Sequence, residues 1–134
     1  MTELDQLLDA MGRQLEKAWV LGVADNDGML IASWQLPDNK MSPEFFAGHA
    51  IRLIRTLGSL FTDAGQEMVS GFGGLFSGLE DVVLTTAFSY LMVRPMCNGS
   101  CYLLMDAPKE VPLGMLRLTA KTFLPKLEKC LPGA

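Results

Sequence analysis

The chain has 134 residues, of which 49% are hydrophobic and 19% charged, and its formal net charge is -4. This length accommodates one domain with a single core, which we place at residues 2–131. The negative charge argues against nucleic acid as the main partner. The apolar runs are shorter than the ~18 residues that a membrane span needs, and the acidic N-terminus is unlike a secretory signal, so we expect a cytoplasmic protein.

The first half of the chain predicts a helix, a hairpin and a second helix. Apolar residues at helical spacing predict the first helix over residues 2–18, with Thr2 as its N-cap. Residues 19–24 and 29–34 predict two strands, and the Asp-Gly pair between them suits a hairpin turn. That turn lacks the spaced oxygen ligands of a calcium loop. Ser42 and Pro43 are expected to begin the second helix, which continues to about Phe61.

The second helix carries apolar residues around about half of its circumference. A helix that only covers its own sheet needs a narrower stripe. Ala47 and Gly58 lie on one flank, where small residues allow a second helix to approach closely. The opposite face carries an aromatic residue and basic groups of the types enriched at protein interfaces, namely Phe45, His49, Arg52 and Arg55. An ordinary solvated face is the alternative interpretation.

The second half of the chain predicts an irregular connector, three strands and a final helix. Residues 62–79 are rich in glycine but lack the Lys-Ser/Thr pair of a phosphate loop. Residues 80–106 predict three strands with a tight turn at Asn98-Gly99. These strands are almost continuously apolar, which predicts that both faces of the sheet are covered. Pro112 is expected to begin the final helix, and Pro125 to kink or split it.

The order helix, hairpin, helix, three-strand meander, helix resembles the profilin-like layout of the roadblock/dynein light chain family. Residues 20–33 resemble its first hairpin, residues 78–84 and 90–96 its third and fourth strands, and residues 102–106 and 113–118 its last strand and final helix. The resemblance covers residues 2–131. Among members of the family, the chain is similar to bacterial regulators of small Ras-like GTPases, such as those of gliding motility.

This resemblance implies an α+β fold, in which a five-stranded antiparallel sheet lies between the middle helix and the two terminal helices. It also implies a homodimer that pairs through the third strand and the middle helix. Residues 82–86 contain no Lys, Pro or Gly, the residues that blunt a free strand edge, which supports the same pairing. The expected interface residues are Ala47, Ile51, Ile54, Gly58, Val82, Val83, Leu84, Thr85 and Thr86.

In the family, the GTPase partner lies across the paired middle helices. The resemblance therefore implies partner contacts at Phe45, His49, Arg52 and Arg55. It implies a non-catalytic regulator or scaffold without a cofactor, which holds the switch loops of the GTPase. An arginine finger from the middle helix is less favoured, because such a finger usually comes from a loop. The residues themselves show no acid/base pair and no nucleophile motif beside the single histidine.

Two alternatives remain at this stage. The chain would be a small-ligand sensor if residues 62–79 formed a lid, although few polar groups converge on a pocket. It would be a redox sensor if Cys97 and Cys101 faced each other, which a three-residue loop allows and a two-residue turn does not. These two cysteines with remote carboxylates are a poor metal-binding set, so no metal is expected.

Overall fold

The computed structural model describes residues 2–37, 42–67 and 80–131, and for residues 58–67 it describes only the course of the helix. The described residues form three α-helices and five strands, with a short 3₁₀ turn at Cys97–Gly99. In chain order these are α1 (Glu3–Leu15), β1 (Val20–Asp25), β2 (Leu30–Gln35), α2 (Pro43–Glu67), β3 (Val82–Thr85), β4 (Ser89–Met96), β5 (Cys101–Pro108) and α3 (Leu113–Lys129).

The five strands form one antiparallel sheet in the order β2-β1-β5-β4-β3. Residues 101–107 of the central strand β5 are all buried, so both faces of the sheet are covered at its centre. One core cluster joins the sheet to α1 and α3, and a second joins it to α2. The predicted α+β architecture, with one helix on one face and two on the other, is confirmed.

The helix ends differ in part from the sequence-based expectation. Thr2 caps α1 as predicted, in a capping box with Asp5, but α1 ends at Leu15 because Glu16 adopts a left-handed backbone with φ 59°. The helix α2 continues to Glu67, beyond the expected end at Phe61. The helix α3 runs through Pro125 and is not split. Pro125 removes one backbone hydrogen bond, and because this proline is exposed, the bond is lost on the side of the helix that faces solvent.

The helix α1 approaches the sheet closely at one glycine. A Cβ atom added to Gly12 would overlap Cε2 of the Trp34 indole on β2. Only glycine permits this approach, which lets the half-buried Trp34 ring lie against the α1 backbone.

One carboxyl group is buried in the centre of the sheet. Asp106 on β5 is 3% exposed, and its neighbours on the adjacent strands are Val20 and Leu91. Among the described residues, none donates a hydrogen bond to this carboxylate. Burial raises the pKa of Asp106 to about 6, because the apolar surroundings disfavour the charged form.

Two helix glycines give stability predictions of opposite sign. We expect Gly12→Ala to lower the free energy of unfolding by about 1–3 kcal/mol, because the new methyl group overlaps the Trp34 ring. Gly48→Ala on α2 is the matched control, since no heavy atom lies within 4 Å of its methyl position. Alanine is favoured over glycine in a helix by about 1 kcal/mol, so this variant should gain stability. Urea denaturation followed by circular dichroism measures both, and changes of equal sign would contradict the described packing.

Asp106 predicts a pH-dependent stability. Its folded-state pKa of about 6 exceeds the ordinary 3.8, so the folded protein binds more protons and loses stability as the pH rises through this window. The cost at pH 7 is about 3 kcal/mol, at about 1.4 kcal/mol per pKa unit. Asp106→Asn should therefore gain stability over the wild type as the pH rises from 4 to 7, in urea titrations at each pH. The exposed Glu16→Gln is the control, and profiles for Asp106→Asn that run parallel to the wild type would contradict the assignment.

Candidate functional site

Three of the predicted partner contacts form an exposed row along α2. Phe45, His49 and Arg52 follow one another at helical spacing, and all three are exposed. The rings of Phe45 and His49 pack together, with centroids 4.3 Å apart at 53°. Phe45 is 64% exposed, so the ring pair stands on the surface and does not enter the core. The row offers an aromatic surface followed by a guanidinium that makes no ion pair with any described residue.

Arg55, the fourth predicted contact, is bound to the protein's own hairpin. Its Nη2 donates to the carbonyl oxygen of Asn26 and to Oδ1 of Asp27, the latter at 3.1 Å. The side chain is half exposed and lies on the flank of α2 that faces the β1–β2 turn. Arg55 therefore ties the turn to the helix, and its replacement would change the hairpin as well as the surface.

The β1–β2 turn is packed against α2. Oδ1 of Asp25 accepts hydrogen bonds from the amides of Asp27 and Met29, at 2.9 and 3.0 Å, and Gly28 has φ 84°. A Cβ atom on Gly28 would lie 3.6 Å from Cα of Gly48. Met29, the residue after Gly28, is 67% exposed. The hairpin itself was predicted from the Asp-Gly pair, but no sequence signal indicates that its tip lies on α2.

The predicted interface residues on α2 need a correction. Ala47, Ile51 and Ile54 are 0%, 1% and 3% exposed, because they pack into the protein's own core between α2 and the sheet. They leave no side-chain surface for a second subunit. The surroundings of Gly58 lie outside the described residues. The half-buried residues on the flank of α2 are instead Leu53 and Leu57.

The predicted residues on the third strand are at the edge of the sheet. Among the described residues, β3 pairs only with β4, so its outer side has no partner strand. Val82 and Val83 are half-buried, whereas Leu84 is 41% exposed. Thr85 ends the strand and is exposed. Thr86 follows it, and its hydroxyl accepts hydrogen bonds from the amides of the β3–β4 turn.

An apolar strip borders this free edge. The helix α2 packs over β1, β2 and β5. Three apolar side chains on the α2 side of β3 and β4 are only partly covered by the helices that the structure describes. They are Val82, Leu84 and Leu91, whereas their neighbour Val93 is buried. Exposed apolar surface next to an unpaired strand edge is typical of an interface between chains.

The loop between β4 and β5 has neither of the two lengths considered from the sequence for the cysteine pair. Met96 pairs with Cys101, which leaves four residues between the strands, and Cys97, Asn98 and Gly99 all have positive φ. Cys97 and Cys101 are free and buried. Burial, and then the neighbouring Cys101 and Glu128, raise the pKa of the Cys97 thiol, which disfavours the reactive thiolate.

The predicted lid, metal binding and membrane spans are the remaining features considered from the sequence. Residues 62–67 continue α2, whereas residues 68–79, the rest of the predicted lid, lie outside the described residues. In the part of the chain that the structure describes, no three His, Cys, Asp or Glu side chains come together as a metal site. None of the described helices has the length and apolar character that crossing a membrane requires.

Comparison with known proteins gives fold matches without close sequence relatives. The sequence matches no protein-family model and no curated protein. MglB of Myxococcus xanthus has a TM-score of 0.77 at 18% identity, over 96% of this chain and 86% of that one. The gliding protein MglB of Thermus thermophilus has a TM-score of 0.76 at 16% identity, over 98% and 90%. A Roadblock/LC7 domain from Streptomyces avermitilis has a TM-score of 0.70 at 19% identity, over 96% and 98%. The chain therefore has the roadblock/LC7 fold, in a form similar to that of MglB.

Proposed function

We propose that the protein is a homodimeric, non-catalytic regulator or scaffold that binds a small Ras-like GTPase across its paired α2 helices. The observation that carries the proposal is that one chain has both an open β3 edge and an exposed row of aromatic and basic residues on α2. Both features belong to a fold similar to that of MglB. The sequence resemblance associates this layout with GTPase regulators. The proposed setting is cytoplasmic, and no cofactor is required.

The dimer is proposed to join two copies of β3 across a two-fold axis, which makes one continuous sheet. Pairing would satisfy the outward backbone groups of Val82–Thr85. It would also cover the apolar strip of Val82, Leu84 and Leu91 with the partner's surface. Leu53 and Leu57 take the place of the buried α2 residues as the proposed helix contacts. A two-fold interface uses the same patch on both subunits, so one strip is sufficient.

The GTPase is proposed to bind the outer surface of α2. Phe45 and His49 provide an aromatic anchor, and Arg52 provides a guanidinium free to pair with a carboxylate of the partner. Arg55 contributes indirectly, by fixing the β1–β2 turn against α2. All four positions lie on a regular helix or bind its neighbouring turn. Such a surface suits the recognition and positioning of a partner's loops, and it does not supply a mobile catalytic group.

The dimer predicts unequal effects at the two edges of the sheet. Leu84→Lys on β3 should convert the dimer to a monomer, because the charge lies beside its symmetry mate. Ile31→Lys on β2 is the matched control, since Ile31 is 45% exposed and Leu84 is 41% exposed. Light scattering after size-exclusion chromatography measures the mass, and circular dichroism checks the fold. A wild-type monomer, or dissociation by the β2 variant alone, would contradict the β3 interface.

The partner surface predicts loss of binding without loss of stability. Arg52→Glu should weaken binding of a small Ras-like GTPase from the same genome by about tenfold or more, because it reverses the one positive charge of the row. Lys109→Glu, in the loop after β5, is the control with the same change of charge. Biolayer interferometry with GDP-loaded and GTP-analogue-loaded GTPase measures the affinity. If both variants bind as the wild type does, the GTPase does not bind at this row.

A further inference from the structure

A second charged feature lies on the side of the sheet opposite α2. A cavity of about 240 Å³, here called the α3 cavity, opens between α3 and the residues that lead into β3. Three basic side chains line it, Arg94 from β4 and Arg117 and Lys121 from α3, together with the carboxylates of Glu80 and Asp81. None of these residues belongs to the α2 row or to the apolar strip.

Arg94 is the unusual member of the group. Its side chain is only 8% exposed, because it lies on the same side of β4 as the core residues Met92 and Met96. Its nearest carboxylate oxygen is Oε1 of Glu80, 3.8 Å from Nη2. That distance is too long for a hydrogen bond, and no described residue accepts one from this guanidinium. A nearly buried guanidinium that makes no hydrogen bond with the described residues is costly unless an anion pairs with it.

The two carboxylates in the cavity are held differently. Asp81 is 8% exposed and accepts two hydrogen bonds of 3.1 Å from Nε and Nη2 of Arg117. This bidentate pair anchors the start of β3 to α3. Glu80 is 66% exposed and lies 3.8 Å from Arg94 and 3.7 Å from Lys121, so it hydrogen-bonds neither of these two cations. Glu80 is therefore a loose and replaceable counter-ion.

We propose that the α3 cavity binds a carboxylate group, which takes the place of Glu80 against Arg94 and Lys121. The planar guanidinium of Arg94 matches the two oxygens of a carboxylate, and Lys121 adds a second charge at the rim. Leu118, which is 63% exposed, forms an apolar wall suited to the methylene groups next to the carboxylate. The source of the carboxylate is a free dicarboxylic acid or an acidic side chain of a partner protein.

The charge of α3 supports an acidic ligand. The helix carries Arg117, Lys121, Lys126 and Lys129 against the single acid Glu128, in a chain whose net charge is -4. An anion is therefore attracted to this helix and repelled by the remainder of the molecule. The site is separate from the proposed GTPase surface, so each can fail without the other.

The experiment is a titration of the isotopically labelled protein, followed by amide chemical shifts at constant ionic strength. The probes are succinate, a blocked Gly-Glu-Gly peptide and inorganic phosphate, with sodium chloride as the ionic-strength blank. We expect saturable shifts at Gly114, Arg117 and Lys121 with the carboxylates. Tighter binding of the peptide indicates a partner's side chain, and tighter binding of succinate indicates a free acid. Phosphate binding as tight as either would overturn the assignment to a carboxylate.

Substitutions in the α3 cavity test which residues bind the carboxylate. Arg94→Gln should weaken the carboxylate at least about tenfold, the usual worth of a charged hydrogen bond. Lys121→Gln tests the same site from an exposed position that does not endanger the fold. Glu80→Gln should tighten binding about twofold to fivefold, because it removes the internal competitor. Lys126→Gln, on the same helix outside the cavity, is the control. Shifts that do not saturate, or a Glu80→Gln variant that does not bind more tightly, would refute the proposal.

Discussion

The burial of β5 on both faces is the constraint on which the rest of the fold depends. This strand pairs with β1 on one side and β4 on the other, so its backbone groups are satisfied within the sheet. Its side chains alternate between the two core clusters, with Leu103 and Met105 on the α1/α3 side and Tyr102 and Leu104 on the α2 side. Neither side can face water, so helices must cover both. The order of the chain then decides which helix covers which face.

The two faces of the sheet consequently have different chemistry. The helix α2 covers only the half of its face next to the first hairpin, which leaves the apolar strip beside β3. The opposite face is covered by α1 and α3. The feature that distinguishes it is a nearly buried charged side chain, Arg94, at the edge of α3. The ion pair of Asp81 and Arg117 connects these two features, because it fixes the start of the edge strand β3 to α3, the helix on the face opposite α2.

Much of the fold follows from local sequence signals. Continuous apolar strands predicted two covered faces, Thr2 predicted the first helix cap, and the order of elements predicted the layout. The position of α2 side chains was less predictable. Its wide apolar stripe indicated a helix partner, but Ala47, Ile51 and Ile54 are used by the protein's own sheet. Periodicity identifies the buried side of a helix without saying what buries it.

The candidate surfaces illustrate what local patterns miss. Arg55 contacts a turn 28 residues earlier in the chain, so its role depends on tertiary packing and not on its helical position. The turn at Asn98-Gly99 was predicted to be tight, but Cys97 also adopts a positive φ and lengthens the loop to four residues. The α3 cavity combines residues from three separate segments, and no spacing within one element reveals such a site.

The irregular pairing of β1 with β2 has a consequence for the other edge of the sheet. Val23 lies opposite Ala32 and Ala24 opposite Leu30, so Ile31 is an extra residue that bulges from the outer strand. Such a bulge twists an edge away from the flat geometry that another strand requires. In a pair joined at β3, both ends of the combined sheet would carry this bulge. The bulge would then disfavour the addition of a further strand at either end, although β2 carries no protective charge.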